Sequence, residues 1–324
     1  MNEHQRLDQI LKAPLIPLTP LPGNGLPEGL VSSTVTAKDG RKLRAAYVIP
    51  SSPKGTVVLL CGRGDFIERW FETIADFIRR GFAVATFDFR GQGGSERVYT
   101  DRYRDGVKNF AEYDDDFASF MTQVVLPDCP PPFFAVGHST GGLILLQALT
   151  RRTWFERAVL SAPLLGVDVG IWPLPLVRFL CWTFPKVGLG RLFLPGQSKR
   201  PLAPQNFPGN NLTSDQRRFQ QSTKTLVEQP DLGVGGPTFS WLHAALKSMD
   251  RMAAEGAKAT FRAPILIVAA GRDRVVDNEA IRRFCAAATG VSLAFIPEAR
   301  HEILFERDSI REQFFAAFEA FTTG

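Results

Sequence analysis

The segment FFAVGHSTGGLILLQAL, Phe133–Leu149, predicts the central part of the fold. It begins as an apolar run, passes through small residues, and ends in a second apolar run with helical spacing. Gly137 and Gly141 lie two residues before and two residues after Ser139. Side chains at both glycine positions would collide with the neighbouring strand or helix of such a tight turn. We therefore expect a strand, a strained turn that exposes the Ser139 hydroxyl, and a helix that begins at Thr140.

Outside this segment the chain alternates buried strands with helices, which predicts an α/β fold with a mostly parallel, doubly wound sheet. Two short alternating segments, Leu30–Ala37 and Leu43–Pro50, predict a β-hairpin. Continuous apolar runs predict the strands Thr56–Leu60, Phe82–Phe87, Phe133–Val136, Ala158–Ser161, Pro264–Ala269 and Val291–Ile296. Helical periodicity marks Phe66–Arg80, Tyr103–Val125, Thr140–Arg151, Asn278–Ala287 and Ile310–Phe321.

Residues 164–261 interrupt this alternation with clustered prolines and aromatics, a polar helical stretch and the glycine-rich DLGVGGPTF. The interruption is too long for a plain connection in a compact domain. We expect residues 164–261 to form an inserted cap or lid on a core of residues 29–163 and 262–324. Residues 1–28 are rich in proline and predict an irregular lead-in.

The charge of the chain argues against some partners. Its 324 residues carry a formal net charge of +5, and the basic residues form no dense block. Nucleic acid is therefore not expected as a partner, whereas a loose attraction to anionic lipid headgroups is permitted. We find no secretory signal and no apolar run long enough to span a membrane. The sequence predicts a cytoplasmic protein and leaves open a peripheral contact with the inner membrane; its oligomeric state is also open.

A serine hydroxyl becomes a nucleophile only when a base takes its proton, and the base is usually histidine. The chain has four histidines. His4 lies in the irregular lead-in, His138 is next to Ser139 with its side chain directed elsewhere, and His243 lies on an amphipathic stretch of the insert. His301 follows the strand Val291–Ile296, in a loop that brings it over the strand ends. By elimination, His301 is the predicted base.

A catalytic histidine in turn needs a carboxylate that fixes its tautomer. Asp273 and Asp277 both follow the apolar strand in PILIVAAGRDRVVD. Asp273 lies in the tight loop directly after the strand, whereas Asp277 comes later and is placed to cap the helix that follows. We take Asp273 as the predicted acid and keep Asp277 as the alternative.

Backbone amides would stabilise the oxyanion of an acyl-transfer reaction. One is expected from Thr140, the residue after the serine, at the N-terminus of a helix. The other is expected from the loop LLCGRGDF, where Gly62 lets the chain turn and Arg63 supplies its N–H.

Four stretches together resemble a known family: VVLLCGRGDFIERWFETIADFIRRGFAVATFDFRGQGGSER, VGHSTGG, PILIVAAGRDRVVD and EARHEILFE. They resemble the bacterial lysophospholipases and monoacylglycerol lipases of the α/β-hydrolase superfamily, a branch of the serine aminopeptidase S33 type. The resemblance covers residues 30–163 and 262–322. It implies an α/β-hydrolase fold and the following roles: Ser139 as nucleophile, Asp273 as acid, His301 as base, and Arg63 and Thr140 as oxyanion donors. Many lipases have His-Gly where this chain has Cys61-Gly62, but the oxyanion amide needs no histidine side chain.

The resemblance implies hydrolysis of a lipid ester, either a lysophospholipid or a monoacylglycerol, with no metal or organic cofactor. The insert fits a greasy acyl group and a surface that docks on a membrane, and it equally fits an ordinary cap core with a solvated rim. Two other functions remain open, a hydrolase of a small soluble ester or thioester and a catalytically silent binding protein. The dense apolar residues of the insert are Leu164, Leu165, Ile171, Trp172, Leu174, Leu176, Val177, Phe179, Leu180, Trp182 and Phe184, and the cations among or after them are Arg178, Lys186, Arg191, Lys199 and Arg200.

Overall fold

A computed structural model describes residues 15–21, 23–197, 199 and 207–323 of the chain. Of the predicted lead-in, residues 1–14 and 22 lie outside the described residues, as does Arg200 of the insert. The described residues contain one eight-stranded sheet in the order β1-β2-β4-β3-β5-β6-β7-β8. Its strands are β1 Val31–Thr36, β2 Lys42–Val48, β3 Thr56–Leu60, β4 Ala83–Phe87, β5 Phe133–His138, β6 Arg157–Ser161, β7 Thr260–Ala270 and β8 Thr289–Ile296.

The sheet confirms the predicted α/β architecture. β1 and β2 form the antiparallel hairpin, β2 pairs with β4 antiparallel, and β3 to β8 are parallel. The chain runs from β3 outward to β4 and then returns to β5 on the other side of β3. The loops after β3 and β5 therefore leave the same edge of the sheet in opposite directions. In open α/β sheets such a switch point creates a crevice where ligands bind.

Helices pack on both faces of the sheet and bury its central strands throughout. The longer helices are α1 Phe71–Arg79, α2 Ala111–Phe120, α3 Thr140–Leu149, α4 Leu174–Lys186, α5 Gln216–Glu228, α6 Phe239–Glu255, α7 Asn278–Ala287 and α8 Asp308–Thr323. Cores of buried apolar side chains fill the two interfaces, one with α2, α3 and α6 and the other with α1 and α8. The buried α3 carries leucine and isoleucine on all sides, as expected for a helix between two layers.

Two predicted helices begin later than the sequence pattern indicated. The predicted helix Phe66–Arg80 is a 3₁₀ turn, Ile67–Trp70, followed by α1. The predicted Tyr103–Val125 is wrong in its first part, since α2 begins only at Ala111 and continues into a π-helical turn, Met121–Val125. The Tyr103 carbonyl instead accepts the N–H of Gly235 at 2.7 Å. A long-range contact therefore replaces the local bond that a helix would have used.

The chain between β6 and β7 contains α4, α5 and α6 and contributes no strand to the sheet within its described part. β6 and β7 are nevertheless direct neighbours, with Ala158 opposite Ile265. The insert thus leaves the sheet and returns without disturbing the parallel order.

Glu72 of α1 joins the insert to the core. The Glu72 carboxylate accepts two hydrogen bonds from the Arg218 guanidinium of α5, at 2.7 and 2.8 Å. Arg217 and Arg311 also lie within ion-pair distance of it. Burial alone would raise the pKa of Glu72, but the hydrogen bonds and charges of these arginines outweigh it and lower the pKa to about 2.

We expect Glu72→Gln to lower the free energy of unfolding at neutral pH. Because the folded-state pKa lies below the ordinary value of 4.5, the stabilisation is complete above pH 4.5 and is lost as the pH falls towards 2. The difference between wild type and variant should therefore close over that window in urea denaturation. Glu228→Gln, which removes an exposed pair with Lys224 on α5, is the control and should change stability by less than about 1 kcal/mol. A difference that stays constant with pH would contradict the assignment.

Candidate active site

Ser139 occupies the turn between β5 and α3 and has a backbone φ of 50° and ψ of −113°. A non-glycine residue rarely adopts a positive φ, so the structure confirms the predicted strain. A Cβ on Gly137 would lie 2.7 Å from Leu145 Cδ1, and one on Gly141 would overlap the carbonyl oxygens of the β3 end. The two glycines therefore let the turn pass close to its neighbours, as the sequence predicted.

His301 and Asp273 are brought together at the carboxyl edge of the sheet. Nδ1 of His301 lies 2.8 Å from Oδ2 of Asp273, and both side chains are buried. Oδ1 of Asp273 accepts the N–H groups of Val275 and Val276 at 2.8 and 2.9 Å. Burial acts to raise the pKa of Asp273, but His301 and the two amides outweigh it and lower the pKa below its ordinary value. An ionised Asp273 is an acceptor for an Nδ1–H of His301, and in that tautomer Nε2 is the ring nitrogen without a proton.

Asp277, the alternative acid, has a different role in the structure. Its carboxylate accepts the N–H of Glu279 at 2.8 Å and caps the N-terminus of α7. It also lies 3.5 Å from the guanidinium of Arg283. Asp277 therefore stabilises a helix, as its later position in the loop indicated.

The His138 side chain, which the sequence analysis set aside, packs against the His301 ring with centroids 4.8 Å apart. Its Nδ1 lies 3.2 Å from the Ser161 carbonyl oxygen, so Nδ1 carries the proton and donates it. Burial, together with the nearby His301, lowers the pKa of His138 to about 3. His138 is thus a neutral ring that supports His301. No hydrogen bond joins the Ser139 hydroxyl to His301 in the described ranges; such bonds often tighten only when substrate is bound.

The two predicted oxyanion donors flank the switch point. Thr140 begins α3 immediately after Ser139, and Arg63 follows β3. Within the part of the chain that the structure describes, neither main-chain N–H donates to a protein acceptor. The Arg63 side chain donates to Asp105 at 2.8 Å and to the Gly235 carbonyl of the insert at 2.9 Å. The bond to Gly235 connects the loop after β3 to the insert.

Three further features of the described residues concern metal ligands, membrane-spanning helices and disulfides. Their His, Cys, Asp and Glu side chains form no group of three suited to a metal ion. None of their helices is long and apolar enough to cross a membrane. The four cysteines are unpaired thiols. His243 lies on α6. Its burial and the positive charges of the nearby Lys247 and Lys186 lower its pKa.

The chain is similar to proteins of a known family. The model of the family described as serine aminopeptidase, S33 matches residues 51–308. Lysophospholipase L2 of Escherichia coli strain K12 is 31% identical over 265 residues, which cover 79% of this chain and 76% of that protein. Monoglyceride lipase of Rattus norvegicus is 28% identical over 159 residues, covering 48% of this chain and 51% of the rat protein.

Solved structures agree on the fold. A soluble variant of monoglyceride lipase from Saccharomyces cerevisiae, in complex with a substrate analog, superposes with a TM-score of 0.70 at 19% identity. The match covers 95% of this chain and 98% of the yeast chain. Together with the sequence relatives, this shows that the chain belongs to the serine aminopeptidase S33 family of α/β-hydrolases and is a lysophospholipase-like carboxylic ester hydrolase.

Proposed function

We propose that this protein hydrolyses the carboxylic ester of a single-chain lipid, a lysophospholipid or a monoacylglycerol, with Ser139 as nucleophile, His301 as base and Asp273 as acid. The observation that carries the proposal is the 2.8 Å contact between His301 Nδ1 and Asp273 Oδ2 beside the strained turn of Ser139. Serine hydrolysis needs these three groups in this relation. The names of the relatives support the lipid substrate.

The proposed reaction runs through an acyl-enzyme. Ser139 Oγ attacks the ester carbonyl while its proton passes to His301 Nε2, and the N–H groups of Arg63 and Thr140 hold the oxyanion. The tetrahedral intermediate collapses, and His301 gives the proton to the departing glycerol oxygen. Water then attacks the acyl group, His301 takes the proton of the water, and the fatty acid leaves as the proton returns to Ser139.

The test is fatty-acid release from lysophosphatidylcholine, lysophosphatidylethanolamine, monoolein and short-chain p-nitrophenyl esters. We expect the long-chain single-acyl lipids to give the highest kcat/KM. Turnover of the short esters alone would retain the serine mechanism and reject the lipid substrate. No turnover on any ester would reject the proposal and favour a silent binding protein.

We further propose that the insert, residues 164–261, is a cap that contacts the membrane through α4 and the residues beside it. Large apolar side chains are exposed there: Ile171 is 95% exposed, Phe179 58% and Trp182 50%. Contiguous exposed apolar surface is typical of a membrane or protein contact. Lys186 lies 3.3 Å from the centre of the Trp182 ring, which puts a cation beside the apolar patch. That combination suits an anionic lipid surface.

The membrane contact predicts weaker vesicle binding when the patch is made polar. Phe179 and Trp182 are half exposed, and burying the rest of each side chain in lipid should contribute about 1 kcal/mol to binding. We therefore expect Phe179→Ser/Trp182→Ser to bind anionic vesicles roughly 30-fold more weakly than wild type. Val227→Ser, which removes an exposed apolar side chain on α5, is the control and should bind as wild type does. Flotation with phosphatidylglycerol vesicles measures the effect. Equal binding of the double variant and the control would reject membrane contact through α4.

A further inference from the structure

Arg69 joins the two loops of the candidate site to the insert. Its buried guanidinium donates from Nη1 to Asp65 and, at 2.9 Å, to Oε1 of Glu302. Nη2 donates to the other oxygen of Glu302, and Nε donates to Ser222 Oγ of α5 at 2.9 Å. The guanidinium also lies 4.1 Å from the centre of the Phe305 ring. Four hydrogen bonds and one ring contact therefore hold this side chain in place.

The first contact leads to the loop after β3. Oδ2 of Asp65 accepts the N–H of Gly62 at 2.8 Å, and its other oxygen takes the bond from Arg69. Asp65 thereby closes the turn that contains Arg63. The direction of the Arg63 N–H depends on the shape of this turn.

The second contact leads to the loop after β8, residues 297–302, which carries His301 and is called the histidine loop. Glu302 directly follows His301, and its N–H donates to the Leu212 carbonyl of the insert at 2.8 Å. Its side chain is buried, and both of its side-chain hydrogen bonds come from Arg69. The His301 side chain is therefore held by Asp273, and the side chain of the next residue, Glu302, is held by Arg69.

We infer that Arg69 is a positioning residue that holds the oxyanion loop and the histidine loop at a fixed separation through Asp65 and Glu302. The inference rests on the proposed roles of Arg63 and His301. A guanidinium is suited to this task because its planar fork binds two carboxylates at once, whereas a lysine ammonium is a single point charge. Without the fork, the buried carboxylates of Asp65 and Glu302 would lose a shared hydrogen-bond donor and would repel each other. The two loops would then move apart. Catalysis is sensitive to such shifts, since a displacement of about 1 Å can lower the rate about 10²-fold.

The test compares Arg69→Lys with Arg90→Lys. Arg90 is an equally buried arginine whose guanidinium donates to both oxygens of Asp116 on α2 at 2.6 Å and to no described residue of either loop. Active serine is titrated with a fluorophosphonate, so that kcat is expressed per competent site, and a short p-nitrophenyl ester serves as substrate. We expect Arg69→Lys to lower kcat per titrated site about 10- to 100-fold with little change in KM. Arg90→Lys should lower the Tm while kcat per site is retained.

A boronic acid gives a second readout, because its tetrahedral serine adduct uses the oxyanion donors as the transition state does. Its inhibition constant should rise in Arg69→Lys by the factor by which kcat/KM falls. A residue that contributed only to stability would leave this constant unchanged in the folded fraction.

Glu302→Gln keeps the shape of the side chain and serves if Arg69→Lys does not fold. It should also lower kcat per site. Where Arg69→Lys does fold, adding Glu302→Gln to it should cost little more, because both changes break the same link. Unchanged kcat per site and boronate affinity in Arg69→Lys or Glu302→Gln, or an equal loss in Arg90→Lys, would overturn the inference. Ser139→Ala measured alongside separates the two claims: activity in that variant refutes the serine mechanism, whereas an inactive Ser139→Ala with unaffected Arg69 variants refutes only the positioning role.

Discussion

Ser139→Ala is expected to lower kcat on every ester that the enzyme cleaves by a factor on the order of 10⁶, as removal of the nucleophile does in serine hydrolases. Alanine retains the Cβ and lacks only the attacking oxygen. It also retains the strain of the turn, because its φ must remain near the 50° of Ser139. The variant should therefore fold as the wild type does and bind substrate with little change in affinity. Hydrolysis and far-ultraviolet circular dichroism measure the two properties.

Ser139→Gly is the matched control for the strain. Glycine tolerates a positive φ, so this variant should be inactive and more stable than Ser139→Ala by about 1 kcal/mol. A more stable but inactive Ser139→Gly would show that the positive φ at residue 139 lowers the stability of the wild type. Hydrolysis at the wild-type rate by either variant would mean that the nucleophile lies elsewhere.

Asp273→Asn should lower kcat by a factor on the order of 10⁴, the loss seen when the acid of a serine triad becomes an amide. The cause lies in the hydrogen bonds of this site. Because Oδ1 of Asp273 accepts two main-chain N–H groups, the asparagine oxygen would keep that place and its NH₂ would face His301 Nδ1. His301 would then accept at Nδ1 and carry its proton on Nε2, where it cannot act as a base.

Asp277→Asn tests the alternative acid with the same chemical change. Asparagine is as good a helix N-cap as aspartate, so α7 should remain intact and activity should be unchanged. Steady-state kinetics of the two variants on one ester decide between them. A large loss in Asp277→Asn together with an active Asp273→Asn would contradict the proposed acid.

The parts of the site that follow from local patterns were predictable. In the turn around Ser139, Gly141 lies where the end of β3 passes and Gly137 lies against α3, and the loop after β8 carries a histidine at the strand ends. The Asp273 carboxylate was separable from Asp277 only by its place in the loop. In each case the position of the residue directly after a strand could be read from the neighbouring sequence, so the local pattern contained the information.

Other features depend on contacts between distant segments. No helix was predicted at α4, whose segment was noted only for its clustered prolines and aromatics. Pro175 lies in the first turn of α4, where a proline costs a helix little. The packing of His138 on His301 and the bonds of Arg69 to Glu302 join residues far apart in the chain. The i,i+4 spacing of Asp65 and Arg69 was a visible sign of an ion pair. The second carboxylate that Arg69 binds, Glu302, lies far away in the sequence and was visible only in the structure.

The central claim is that Ser139 is an activated nucleophile that accepts single-chain lipid esters. Labelling with a fluorophosphonate, followed by digestion and mass spectrometry of the peptides, tests it most directly, with and without prior incubation with lysophosphatidylcholine or monoolein. We predict one equivalent of label on Ser139, slowed by the lipids and absent from Ser139→Ala. Label on a different serine, or equal labelling of Ser139→Ala and wild type, would contradict the account.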